Sequence, residues 1–204
     1  MTADTKLPNE IRLAERLDDP QVFIPDLFES HATYFPDREA VVCGPVRRGW
    51  GDFVANINRV ANALHREGIG RGDKVAVLMG NSVEMLEVVF GVVRAGACVV
   101  PLSGLLTGEQ LATLVDDSEA VAVFATGEFR DKLAPHRDGL TRVDAARFVA
   151  VHGEAPGWHA FAAFVADAPA TVPPVRHAAD DDFNIIYSSG TTGLPKGIVQ
   201  THRA

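Results

Sequence analysis

From Lys74 onward the sequence alternates short apolar runs with longer amphipathic stretches, and this alternation limits the possible folds more than any other feature. Strands buried on both faces read as continuous apolar runs, and helices as apolar positions three and four apart. Their regular succession is the pattern of βαβ units around a parallel sheet. Val75–Met79 is expected to be a buried strand. Asn81 and Ser82 can cap a helix, and Glu84, three residues after Asn81, completes a capping-box pattern. Val83, Leu86, Val89, Phe90 and Val93 then recur at helical spacing until Gly96 stops the helix. Cys98–Leu102 is the next expected strand, Thr107 with Gln110 forms a second capping box ahead of Leu111, Leu114 and Val115, and Val121–Ala125 is a third strand. The predicted fold class is α/β.

Upstream, Phe53, Ile57, Val60, Ala61 and Leu64 form an apolar stripe that ends at Gly68 and Gly70, two natural helix stops. Between Ala134 and Ala179 the signal is weaker. Phe148–Val151 reads as a strand, Trp158–Val165 as a short helix, and Ala168–Val175, with its prolines, as a linker. Phe183–Ser188 is expected to be the last strand, and the acidic run Asp180–Asp182 before it reads as a solvated lead-in.

Composition narrows the function. With 47% apolar and 23% charged residues in 204, the chain is of ordinary globular type. A net charge of −8 argues against nucleic acid as the main partner, because phosphate backbones are bound by clustered Lys and Arg and the densest basic spot is Arg47-Arg48. Cys43 and Cys98 lie far apart and make neither a zinc spacing nor a disulfide framework, which fits a reducing cytoplasm. Met1–Lys6 is polar and lacks the apolar core of a secretory signal, and no run approaches the ~18 apolar residues of a membrane span. His152 and His159 have no metal-ligand partner at a familiar spacing.

One segment carries chemistry. Directly after the Phe183–Ser188 strand comes Tyr187-Ser188-Ser189-Gly190-Thr191-Thr192-Gly193-Leu194-Pro195-Lys196-Gly197. Glycines let a backbone approach an anion and present N–H groups to it, hydroxyls add donors or metal ligands, and a lysine adds mobile positive charge, a composition suited to polyphosphate. An exposed turn is the plain alternative, since Gly, Ser, Thr and Pro favour loops everywhere. Eleven ordered positions closing on Pro-Lys-Gly are more specific than that. The segment is not a Walker A loop, which ends in Gly-Lys-Ser/Thr, and Ser189 lacks the G-x-S-x-G frame of a hydrolase nucleophile. Gly68-Ile69-Gly70-Arg71-Gly72 follows a helix and lacks dinucleotide-binding spacing. His202, shortly after the loop, is expected to serve a helix start more than a ligand.

At these residues the sequence resembles the adenylate-forming superfamily of acyl- and aryl-CoA synthetases, luciferases and peptide-synthetase adenylation domains. Upstream, Asp26-Leu27-Phe28-Glu29 with Phe35-Pro36-Asp37, Val60–Gly72 with Asp73-Lys74-Val75-Ala76, Asn81-Ser82, Gly91, Ala95-Gly96-Ala97 and Val100-Pro101-Leu102 continue the likeness. The resemblance implies that Ser188, Ser189, Gly190, Thr191, Thr192, Gly193 and Lys196 surround the β- and γ-phosphates of ATP. It makes Thr191 a ligand of Mg²⁺ and Lys196 an electrostatic stabiliser. The implied reaction turns a carboxylic acid, fatty-acid type included, into an acyl-adenylate and passes it to coenzyme A. An acyl transfer to a carrier-protein thiol and an inactive binding module are the alternatives. The family's adenine-, ribose- and acyl-binding segments and its C-terminal domain would follow Ala204. The resemblance therefore implies an N-terminal arm over 1–22 and, over 23–204, an incomplete N-terminal domain whose last strand has an exposed edge.

Overall fold

A computed structural model describes residues 22–188 and 195–203. The chain divides into two compact units, Met1–Val54 and Ala55–Ala204. In the first, helix α1 (Ile24–Tyr34) opens with a proline in its first turn, where a missing N–H costs nothing, and with Asp26 where the helix dipole favours negative charge. An antiparallel hairpin follows, β1 (Glu39–Cys43) and β2 (Val46–Gly49), pairing Cys43 with Val46 across a turn in which Gly44 has a φ of +56°. The sequence gives no hint of it, because Arg47 and Arg48 interrupt any apolar alternation. Rings close this unit: Trp50 lies 4.6 Å from His31 and 5.4 Å from Phe28.

Helix α2 (Trp50–Arg66) begins at Trp50 and carries the predicted stripe. Its end is closed by Gly68, in the left-handed region at φ +74°, with the Ile69 N–H donating to the Leu64 carbonyl at 2.9 Å.

Among the described residues the second unit holds a seven-stranded sheet. Its strands are β3 (Lys74–Leu78), β4 (Cys98–Pro101), β5 (Ala120–Thr126), β6 (Phe148–Val151), β7 (His159–Ala160), β8 (Asp182–Ser188) and β9 (Lys196–Thr201). Their order is β7-β6-β5-β3-β4-β8-β9, all neighbours parallel except the β8–β9 hairpin. Alternate residues of the strands feed two cores. Val75, Val77, Val99 and Phe124 face helix α3 (Val83–Arg94), the later part of α2 and the short α6 (Phe161–Val165). Ala76, Leu78, Val100 and Val123 face α4 (Gly108–Asp117) and α5 (Gly127–Leu133). Both sheet faces are covered, which is why these strands read as unbroken apolar runs.

Several local expectations are met, and others are corrected. Thr107 and Gln110 form the predicted capping box, with the Thr107 N–H donating to Gln110 Oε1 at 2.9 Å and the Gln110 N–H to Thr107 Oγ1 at 3.3 Å. At α3, however, Ser82 and not Asn81 is the cap, accepting from the Met85 N–H at 3.0 Å; Glu84 sits in the first turn and acts through the helix dipole instead. Trp158–Val165 does not start as a helix: His159 and Ala160 add to the open edge of β6 before α6 begins. The proline-rich segment 168–175 has no regular element, yet it is strapped down. Asn62 Nδ2 donates to the carbonyls of Pro169 and Thr171, both at 2.8 Å, and Asn58 Nδ2 to that of Ala170 at 3.0 Å. Prolines lack donors but keep acceptors, so side-chain amides can hold them where a sheet cannot. Of the acidic lead-in, Asp180 is exposed, whereas Asp181 pairs with Arg71 at 3.0 Å and accepts from the Ala178 N–H at 2.8 Å. Nor is β8 the last strand. β9 covers it, and the exposed edge belongs to β9, where Ile198 and Val199 are each 52% exposed. No helix among the described residues is long and apolar enough to cross a membrane.

Candidate functional site

The order of the strands marks a candidate position for a site. From β4 the chain returns across β3 to β5, so helices α3 and α4 leave the adjacent β3 and β4 towards opposite faces. Open α/β sheets hold ligands at the carboxyl ends of their strands beside such a reversal. β8 runs parallel to β4, next in the sheet, so its last residue, Ser188, stands at that carboxyl end.

β8 and β9 pair in register from Asn184↔Gln200 through Tyr187↔Gly197 to Ser188↔Lys196. Directly opposed residues of antiparallel strands have Cα atoms about 5 Å apart. Ser188 and Lys196 therefore stand side by side at the mouth of the hairpin, and both are exposed. Ser189, Gly190, Thr191, Thr192 and Gly193 lie outside the described residues. Of the residues singled out from sequence, the structure thus brings together the two that bracket the loop, one offering a hydroxyl and the other an ammonium group.

Beneath the mouth, Tyr187 points to α4. Its phenol donates to Asp117 Oδ2 at 2.6 Å, with the Leu114 carbonyl at 3.5 Å. Burial pushes the phenol above its ordinary range, and the bond to the Asp117 carboxylate adds to this. Its register partner, Gly197, makes room for it: a Cβ there would stand 3.1 Å from the Tyr187 ring and 3.0 Å from Ile185 Cγ2. Asp117 escaped sequence reading because nothing near it marks a contact 70 residues away. Gly197 was visible only as part of the motif.

Other candidates stand apart. His202 starts no helix; it sits in a turn beyond β9, with its ring 5.1 Å from His177 and 5.3 Å from Phe183. Six residues of extended chain separate it from Lys196, about 20 Å. The Cys98 thiol is buried on the α4 side of the sheet, and burial first, then Asp182, push it up to about 12 against the lowering effect of Lys74. A thiol so held is no nucleophile near neutral pH.

A three-layer α/β domain with an anion-suited hairpin loop at the carboxyl edge of its parallel sheet is the class that these features define. The chain belongs to the AMP-binding enzyme family, whose match spans residues 28–204. It is 33% identical to the long-chain-fatty-acid–CoA ligase FadD13 of Mycobacterium tuberculosis, over 87% of this chain and 35% of that protein. It is 31% identical to a plipastatin synthase polypeptide of Bacillus subtilis, over 88% of this chain and 6% of that protein. Among solved structures, the anthranilate CoA ligase AuaEII in complex with anthranoyl-AMP superposes with a TM-score of 0.83 at 25% identity, covering 91% of this chain and 36% of that one. The chain thus spans about a third of the length of the CoA ligases it matches.

Proposed function

We propose that the chain is the front part of an ATP-dependent acyl-CoA synthetase, acting in the cytoplasm, and that its hairpin loop holds the β- and γ-phosphates of ATP. The observation that carries this reading is the pairing of Ser188 with Lys196 at the carboxyl end of the sheet. In this reading the N–H groups and hydroxyls of Ser188, Ser189, Gly190, Thr191, Thr192 and Gly193 line the phosphates while Lys196 offsets their charge. The base of the loop suits such an anion, being exposed and bearing a hydroxyl and an ammonium group. Mg²⁺ is commonly held by substrate phosphates with one or two protein oxygens, and the Thr191 hydroxyl fits that donor set. When bound, the metal would supply further charge neutralisation.

The chemistry follows from where charge develops. A substrate carboxylate attacks the α-phosphorus of ATP, the bond to the β-phosphate oxygen breaks, and pyrophosphate leaves with an acyl-adenylate formed. Negative charge accumulates on the departing pyrophosphate, so donors fixed around it stabilise the transition state more than the ground state. Lys196 is therefore an electrostatic group and not a nucleophile. A thiol then attacks the acyl carbon and AMP departs. Coenzyme A is the acceptor that the CoA-ligase relatives support, and the likeness to plipastatin synthase supports a carrier-protein thiol as the second reading.

The test is exchange of labelled pyrophosphate into ATP by the full-length enzyme. Carboxylate-dependent exchange is expected; release of ADP and phosphate in its place would overturn the assignment. Supplying coenzyme A or a phosphopantetheinylated carrier protein to the preformed adenylate separates the two acceptors.

A further inference from the structure

The β8–β9 hairpin projects the loop from the edge of the sheet, past the point where β8 is in register with β4. Among the described residues, β8 is in register with β4 only at Val99↔Asn184, near the start of β8. The loop leaves from its other end, four residues on. There the side contact comes from Tyr187, which immediately precedes Ser188 and faces Gly197, the residue immediately after Lys196. The bare Gly197 backbone leaves space for the ring, and the phenol reaches the last residue of α4, Asp117, at 2.6 Å. α4 is a firm support, fixed by its capping box at one end and by buried Leu111, Leu114 and Val115 along its length. A carboxylate at a helix C-terminus is opposed by the helix dipole. Asp117 therefore adds nothing to α4 on its own account; the phenol is what makes that position favourable.

We propose that Tyr187 is a positioning residue for the loop: through its hydrogen bond to Asp117 it ties the hairpin mouth to α4 and fixes the direction in which Ser188 and Lys196 present the loop to the ATP phosphates. This inference rests on the reading of the loop as the phosphate site. Tyr187 touches no reacting atom. It acts by holding the paired ends against α4, four residues beyond the Val99↔Asn184 register pair, so that the geometry needed for pyrophosphate departure is set in advance.

The experiment compares Tyr187→Phe, Asp117→Asn, the double variant and Lys196→Ala in the full-length enzyme. It measures pyrophosphate exchange against ATP concentration, thiol transfer from a supplied acyl-adenylate, and thermal unfolding. Tyr187→Phe is expected to raise KM for ATP or lower adenylation by about 5- to 20-fold, the low end of what a charge-assisted hydrogen bond is worth because the site is partly exposed; Asp117→Asn, whose amide oxygen still accepts from the phenol, should do so by less. The double variant should be no worse than Tyr187→Phe alone, because Tyr187→Phe removes the contact that Asp117→Asn only weakens, the Asn amide oxygen remaining a neutral acceptor. Thiol transfer should hold, and the unfolding midpoint should fall only by the few degrees that one lost hydrogen bond costs. If Lys196→Ala impairs exchange while Tyr187→Phe does not, the anchor is overturned and the loop reading stands. If Lys196→Ala has no effect, the loop reading falls and this inference with it. Equal losses in adenylation and in transfer would make Tyr187 a general structural residue and overturn the proposal.

Discussion

Lys196 and Cys98 show how position decides what a reactive side chain does. Lys196 is exposed at the mouth of the hairpin, so its removal should leave folding intact. Lys196→Ala in the full-length enzyme is expected to slow adenylation by about 10- to 150-fold, the equivalent of one charge-assisted hydrogen bond of roughly 1.5–3 kcal/mol. Thiol transfer to a supplied acyl-adenylate should change far less, since pyrophosphate has gone by then. Matched damage to both half-reactions would remove Lys196 from the phosphate side. Cys98 is the opposite case. With its thiol pushed up to about 12 by burial, only about one part in ten thousand is thiolate at pH 8. Alkylation of the native chain should therefore modify Cys43 alone, with Cys98 reacting only after denaturant is added. Two equivalents of modification in native buffer would show that the α4 side of the sheet is open.

The elements differ in what they draw on. The Thr107 cap is local: both halves of its box are made by residues three apart on an exposed helix end. Thr107→Ala should cost about 1 kcal/mol, read as a lower denaturant midpoint with an unchanged slope. Gly91 is set by tertiary packing. It lies inside α3 where alanine would be favoured by up to ~1 kcal/mol on helix propensity, but a Cβ there would stand 2.5 Å from Val60 Cβ and Cγ1 on α2. Overpacking of that kind costs about 1–3 kcal/mol, so the close approach of the two helices outweighs propensity and Gly91→Ala should destabilise. An alanine variant as stable as the parent would mean that α2 and α3 part without strain.

For the molecule as a whole, the edge of the sheet is the feature with a measurable outcome. β9 presents an open row of backbone groups beside Ile198 and Val199, each 52% exposed, and Ile186 on β8 is 39% exposed. Apolar edge strands are templates for pairing with another chain. The 204-residue chain is expected to self-associate as its concentration rises, and Ile198→Lys should suppress this while changing stability by no more than about 0.5 kcal/mol. Sedimentation as a monomer across that range would contradict the expectation.

Much of what depends on neighbours along the chain was already legible in the amino-acid order, the hairpin of β1 and β2 excepted. The βαβ succession, the Gly68 and Gly96 stops, the Thr107 box and Phe148–Val151 all rest on periodicity or on contacts within one helical turn. The composition of the loop was legible for the same reason, because its eleven positions are contiguous. Everything that depends on distant partners waited for the folded chain. β9 has no two-residue alternation and is a strand because β8 offers it a ladder, and β7 exists because β6 had a free edge. Asn81 and Ser82 were equal candidates until the start of α3 was fixed. Tyr187 finds Asp117 because the fold sets β8 beside α4, and a hydrogen bond between residues 70 positions apart leaves no periodic trace in either segment.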